Sequence, residues 1–216
     1  MNNNCFLVTR SRHDPGMHYL FYWAGKVIEE ANKKNFQILD LSEEKANQKD
    51  FNGRMKKLRP GLLFLNGHGD SDKVTGHNDQ ILIKVGQNDE LIRDCIVYAL
   101  SCRSAAELGK TCVSKGTISY IGYNDVFVFL YEEDKTTHPL EDKTASLFLG
   151  PSNLIISSLL KGNLTGQAVR KSQEEFKRNI RKLITSESPQ EDKSPIPWLI
   201  WDMEHQVCLG DQAAKI

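Results

Sequence analysis

The chain has 216 residues, with 28 basic and 28 acidic side chains, so its formal net charge is zero. That balance argues against nucleic-acid or membrane-surface binding driven by bulk charge. The apolar runs fall well short of the roughly 20 residues a membrane span needs, while the length suits one large α/β domain with a real core, or two small domains.

In chain order, Cys5 to Thr9 reads as a first strand ending in the polar turn Arg10-Ser11-Arg12-His13-Asp14-Pro15-Gly16. From Met17 to Lys34, apolar residues recur at helical spacing. Phe36 to Asp40 is a second strand. Leu41 to Leu58 is charged and helical in part, with Gly53 as an interruption. Leu62 to Leu65 is a third strand running into Asn66-Gly67-His68-Gly69. A polar stretch follows, then a hairpin arm or flap at Ile81 to Val85 and a short helix at Asp89 to Asp94. Cys95 to Leu100 is a fourth core strand, running into Ser101-Cys102-Arg103-Ser104. A helix over Ser104 to Cys112 and a strand over Thr117 to Gly122 complete the alternation, which predicts a parallel, doubly wound sheet.

Beyond that point Tyr131 to Lys143 is a charged loop. Ala145 to Leu160 is a helix broken or kinked at Gly150-Pro151, and Thr165 to Ile184 is an amphipathic helix. Thr185 to Ser194 is polar and exposed. Trp198 to Asp202 and Gln206 to Gly210 read as a terminal hairpin. The whole, residues 1–216, reads as one domain, with a core at about 5–123 and a helical and hairpin part at 145–216. The N-terminus lacks a basic n-region and an apolar h-region, and the five cysteines have no framework spacing. The expectation is a cytoplasmic protein with reduced thiols.

The chemistry concentrates at two strand ends. In open α/β sheets ligands bind at the carboxyl ends of the strands. His68 and Cys102 each follow an apolar strand, so an imidazole base and a thiol nucleophile face each other across one rim. Taken singly, each has a plainer explanation: a strand-end Cys is usually core, and a His among glycines is usually a turn residue. Cys5, Cys95, Cys112 and Cys208 read as structural. The gaps between His68, His77, Cys95, Cys102 and Cys112 match no zinc module, so no metal is expected. The Gly67-His68-Gly69-Asp70-Ser71 run lacks the ending of a phosphate loop.

The order of His before Cys, the strand before each, and the glycine after His68 resemble the caspase-like cysteine peptidases (clan CD), which include caspases, metacaspases, gingipains and bacterial CHAT domains. The resemblance covers roughly residues 5 to 123. It implies a three-layer α/β/α sandwich with a mostly parallel sheet, and a cysteine endopeptidase that needs no cofactor. His68 matches the family's catalytic histidine and Cys102 its nucleophile. The N–H groups of Gly69 and Cys102 match the oxyanion donors. A helix starting near Ser104 would favour the thiolate. The Leu100-Ser101 pair departs from the Asp-Ser or Gln-Ala familiar before the nucleophile.

The family builds its specificity pocket from the rim loops. Asp14, with Asp125 second, would select a basic residue before the cleaved bond, whereas Arg10 and Arg12 would select an acidic one; the short His-to-Cys spacing resembles gingipains and favours the basic choice. Asp14 serves equally as a turn and helix cap. The implied partners are a protein or peptide substrate and an upstream activating protein or protease, with no nucleic acid and no membrane. Bacterial members of the family often serve in stress or antiviral defence. Control by processing would act at Tyr131 to Lys143 or Thr185 to Ser194. The alternatives are a caspase-like interaction module that no longer cleaves, and a flavodoxin-like or nucleotide-sensing domain.

Overall fold

The computed structural model describes residues 2–185 and 193–216. Its first strand, β1 (Asn2–Arg10), is followed by α1 (Pro15–Lys33), β2 (Gln37–Ser42), α2 (Gln48–Leu58) and β3 (Pro60–Asn66). Three short strands come next, β4 (Gly69–Asp70), β5 (Lys73–Thr75) and β6 (Ile81–Lys84), and then β7 (Ile96–Leu100), α3 (Leu108–Ser114) and β8 (Ser119–Tyr123). The chain continues through α4 (Lys143–Leu160), α5 (Thr165–Thr185), α6 (Ile196–His205) and β9 (Gln206–Gly210).

Six strands form one sheet in the order β2-β1-β3-β7-β8-β9. The first five are parallel neighbours, and β9 runs antiparallel to β8. The central strands are buried on both faces, which explains their continuous apolar runs. Alternate residues still divide between faces. Phe6, Val8, Leu62, Phe64, Ile96 and Tyr98 pack with residues of α1, α4 and α5. Leu7, Leu63, Leu65, Val97 and Ala99 pack with α2, α3 and the small β4-β5-β6 sheet. The result is the expected three-layer α/β/α sandwich. Among the described residues no helix is long and apolar enough to cross a membrane.

Four local expectations need correction. Residues 198–202 are not a strand: they lie in α6, and β9 finds its antiparallel partner in β8 instead of in a terminal hairpin. Pro197 opens α6, and Leu199 and Asp202 are its buried positions, a helical spacing that the β-prone Trp-Leu-Ile-Trp run obscures. The helix after Cys102 begins at Leu108, because Arg103 adopts φ 56° and turns the chain before a helix can start. α2 runs through the exposed Gly53, at a cost of about 1 kcal/mol relative to Ala. α4 likewise runs through Pro151. Proline there removes the N–H that would bond Leu147, and the Asn179 side-chain amide of α5 donates to that carbonyl at 2.9 Å.

Candidate active site

The parallel pairing of β3 with β7 places the two chemistry-bearing turns. Leu62 pairs with Ile96, and the register holds to Asn66 with Leu100, a constant difference of 34 positions. His68 and Cys102 differ by the same 34 positions, so each lies two residues past the end of paired neighbouring strands. Paired strands lie about 4.8 Å apart. The contact between the turns is close. A Cβ on Gly69 would lie 2.0 Å from Ser101 Oγ and 2.6 Å from the Cys102 carbonyl oxygen, so only glycine allows this approach.

His68 is half-exposed, and its Nε2 meets Asp14 Oδ2 at 2.8 Å. Asp14 sits in the turn after β1 and is also the N-cap of α1, where its Oδ1 accepts the Met17 N–H at 2.9 Å. Burial alone would raise the Asp14 carboxyl. The Met17 N–H and the His68 and His13 rings outweigh it and hold the carboxyl below its usual range. With Nε2 engaged by Asp14, Nδ1 is the ring nitrogen left to exchange protons with a substrate. The backbone of His68 is anchored too, because its carbonyl accepts the Thr75 N–H at 2.9 Å. That bond makes His68 and Thr75 a hydrogen-bonded pair of the β4–β5 ladder, so by alternation the Gly69 N–H is not spent on β5.

Cys102 is half-buried, and its thiol points to the Phe127 carbonyl at 3.7 Å. Burial pushes the thiol pKa up, and the backbone hydrogen bond at Phe127 and the Arg103 charge oppose it only in part. The expectation of a thiolate favoured by a helix N-terminus is therefore overturned: no helix begins there, and the resting group is a thiol. Its proton has to leave when the sulfur attacks.

The four residues proposed to bind substrate are each engaged. Arg10 donates from Nε and Nη2 to Asp40 at 3.0 and 2.5 Å, and lies over the Phe21 ring. Arg12 pairs with Glu43. Asp125 receives Arg103 Nε at 3.3 Å, and its backbone carbonyl accepts the Arg103 N–H at 2.9 Å. The Val126 N–H and Arg103 hold the Asp125 carboxyl low, so it stays ionised. Asp14 spends one oxygen on α1 and the other on His68. The structure thus joins His68 with Asp14, Gly69 with Cys102, and Arg103 with Asp125. It sets Arg10 and Arg12 on partners of their own.

Two residues that sequence reasoning passed over belong to this rim. His13 lies beside Asp14, with Nε2 3.3 Å from Asp14 Oδ2. The adjacent His-Asp pair in a strand-end turn was the available signal. Asp202 lies fully buried on α6; its Oδ1 accepts the Val128 N–H at 3.0 Å, and its Oδ2 has no partner. Burial raises that carboxyl to about 8. The peptide joining Phe127 to Val128 thus separates Asp202 from Cys102.

No family model and no curated protein sequence matches the chain. Among solved structures, it is similar to the Arg-specific cysteine proteinase gingipain R (RgpB), with a TM-score of 0.62 at 9% identity. A complex of the Porphyromonas gingivalis RgpB pro- and mature domains gives a TM-score of 0.59 at 10% identity. Both comparisons cover 99% of this chain and 48% of the other, so the chain spans about half the length of those proteins. At such identity the likeness carries architecture alone: the chain has the caspase-like α/β/α fold seen in gingipain R.

Proposed function

We propose that the chain is a cysteine endopeptidase acting through Cys102 and His68. The observation that carries this reading is the shared register: two neighbouring parallel strands deliver a thiol and an imidazole to one rim, with Asp14 fixing the ring.

The chemistry follows from the geometry. The Cys102 sulfur attacks the scissile carbonyl and forms the S–C bond, and the thiol proton passes to His68 Nδ1. The new oxyanion takes the N–H groups of Gly69 and Cys102, one already free of the β4–β5 ladder. As the C–N bond breaks, His68 returns the proton to the leaving amine. A water then attacks the thioester with His68 as base, and the sulfur departs with a proton. Asp14 holds the ring and its charge balances the imidazolium.

The preferred substrate carries Arg or Lys before the cleaved bond. Arg10 and Arg12, the cations that would favour an acidic residue, are held by Asp40 and Glu43. Asp125, which stays ionised beside Arg103, the residue after Cys102, is the rim carboxylate that would meet a substrate cation. The gingipain R of similar fold is named as Arg-specific.

At rest the Cys102 thiol donates to the Phe127 carbonyl, in the segment after β8. We therefore expect activation by a partner or by processing that moves this segment. Tyr131–Lys143 follows it directly, but that loop is pinned. Asp142 accepts from Tyr19 Oη and the Glu132 N–H, and Trp23 Nε1 donates to the Pro139 carbonyl. Of the other stretch considered for processing, Thr185–Ser194, residues 186–192 lie outside the described residues.

A panel of fluorogenic peptides tests the reading. Wild type should cleave after Arg and Lys, and Cys102→Ala and His68→Ala should each lose at least about 1000-fold in kcat/KM while remaining folded. Intact mass measured on the active sample shows whether cleavage of the chain accompanies activity. Undiminished activity in Cys102→Ala ends the peptidase reading. Preference for Asp or Glu ends the basic-residue assignment.

A further inference from the structure

The rim holds a second chemical constellation that peptide cleavage does not require. His13, Asp14 and His68 each offer one ligand atom, and the three atoms lie within 4.8 Å of one another. Asp14 Oδ2 stands 2.8 Å from His68 and 3.3 Å from His13. A fourth donor is at hand: Asp79 Oδ1 lies 3.5 Å from His13 Nε2.

His13 is the informative member. Its Nδ1 lies 3.1 Å from the hydroxyl of the buried Ser11. Its Nε2 is buried and makes no hydrogen bond, although two carboxylate oxygens lie nearby. The Ser11 hydroxyl can serve either ring tautomer; when it accepts Nδ1–H, Nε2 turns a lone pair toward the two carboxylates, and a cation shared among the three groups satisfies all of them. A partner on Nδ1 that fixes the metal-facing tautomer is what ligating histidines usually have.

The frame suits such a site. Asp14 is fixed by capping α1, and His68 by its bond to Thr75. The Thr75 hydroxyl lies 3.2 Å from the His68 carbonyl and 3.5 Å from Asp79 Oδ1, tying the Asp79 turn to the same rim. Two imidazoles and two carboxylates are a donor set for zinc, with bonds of about 2.0–2.2 Å and ligand atoms roughly 3.3 Å apart. The His68–Asp14, His13–Asp14 and His13–Asp79 separations, 2.8, 3.3 and 3.5 Å, are close to that already.

We propose that His13, Asp14, His68 and Asp79 bind one zinc ion, and that the ion switches the peptidase off. The binding half stands on these distances; the switching half rests on the peptidase reading. Proton accounting gives the switch. In the metal-free enzyme His68 donates Nε2–H to Asp14, so Nδ1 can accept the thiol proton. Zinc on Nε2 displaces the proton there, and that ring proton moves to Nδ1. Nδ1 then cannot act as a base. Zinc also removes Asp14 from its supporting role.

The test separates the halves. Binding is measured in Cys102→Ala, which removes the nearby thiol, by zinc calorimetry and by the visible spectrum of cobalt(II). One equivalent should bind, with a cobalt spectrum lacking thiolate bands. Adding His13→Ala should weaken binding at least about 100-fold, and adding Asp79→Asn should weaken it about 10-fold. The absence of binding, or His13→Ala and Asp79→Asn both leaving affinity within threefold, would overturn the site. In the activity arm, zinc should inhibit wild type at the concentration that fills the site, reversibly with chelator, while single His13→Ala, read as a fraction of its own zinc-free rate, resists. Equal inhibition of His13→Ala would overturn the switch and point to zinc on the thiol. A protein that binds zinc yet cleaves no peptide would retain the metal site and lose the peptidase reading.

Discussion

Asp14 carries two jobs that substitution can separate. One oxygen caps α1 through the Met17 N–H at 2.9 Å, and the other meets His68 Nε2 at 2.8 Å. Asparagine is as good an N-cap as aspartate, so Asp14→Asn should change stability by less than about 0.5 kcal/mol. Its neutral oxygen can still accept from Nε2, but the charge that favours the imidazolium is gone. A hydrogen bond to a charged group is worth roughly 1.5–3 kcal/mol, and the 29% exposure of Asp14 places this one toward the low end. The expected loss is therefore about 10- to 30-fold in kcat/KM. Asp14→Ala removes the cap as well, and should lose about 1 kcal/mol of stability and a further several-fold of activity. Urea unfolding and steady-state kinetics on matched substrates measure both. The pattern across substrates decides between the two roles open to Asp14. Support of His68 predicts the same loss for every peptide. A loss confined to peptides with Arg or Lys before the cleaved bond would refute the present assignment and make Asp14 the partner of the substrate cation.

The remaining prediction concerns pH and the buried Asp202. Its carboxyl, raised to about 8, stays protonated in the fold but ionises in the unfolded chain above about pH 4. Stability must then fall as pH rises from about 4 toward 8, by up to roughly 1.4 kcal/mol per pH unit. Asp202→Asn keeps the oxygen that accepts the Val128 N–H and removes the ionisation. Relative to wild type it should gain up to roughly 3 kcal/mol between pH 5 and 7.5. Parallel stability curves for the two proteins would show that Asp202 titrates normally.

Much of the rim is legible in the sequence alone. Strands β3 and β7 announce themselves as apolar runs because both sheet faces are covered, and the turns that end them carry His68 and Cys102 in plain view. What spacing could not reveal was pairing. Arg10, Arg12, Asp14 and Asp125 look alike as charges in rim loops. Only the fold shows that Asp40, Glu43, His68 and Arg103, from 22 to 54 positions away, engage them. The same limit hid Asp202, whose segment has strand-like composition and helical burial. It also hid His13, since a zinc search keyed to close Cys/His pairs does not join a residue in the β1–α1 turn to one at the end of β3.

The most direct test of the central claim is covalent labelling. Wild-type protein is treated with a peptidyl acyloxymethyl ketone carrying arginine at the position next to the warhead, then mapped by peptide mass spectrometry. The chain has five free cysteines. Cys5, Cys95 and Cys112 are buried, and Cys208 is half-buried like Cys102, so site selectivity is informative. The account predicts one adduct, on Cys102, forming much faster than with a simple alkylating agent and slowed at least about 100-fold by His68→Ala. Labelling of Cys208 at a similar rate, or Cys102 labelling that His68→Ala leaves unchanged, would contradict a Cys102–His68 peptidase.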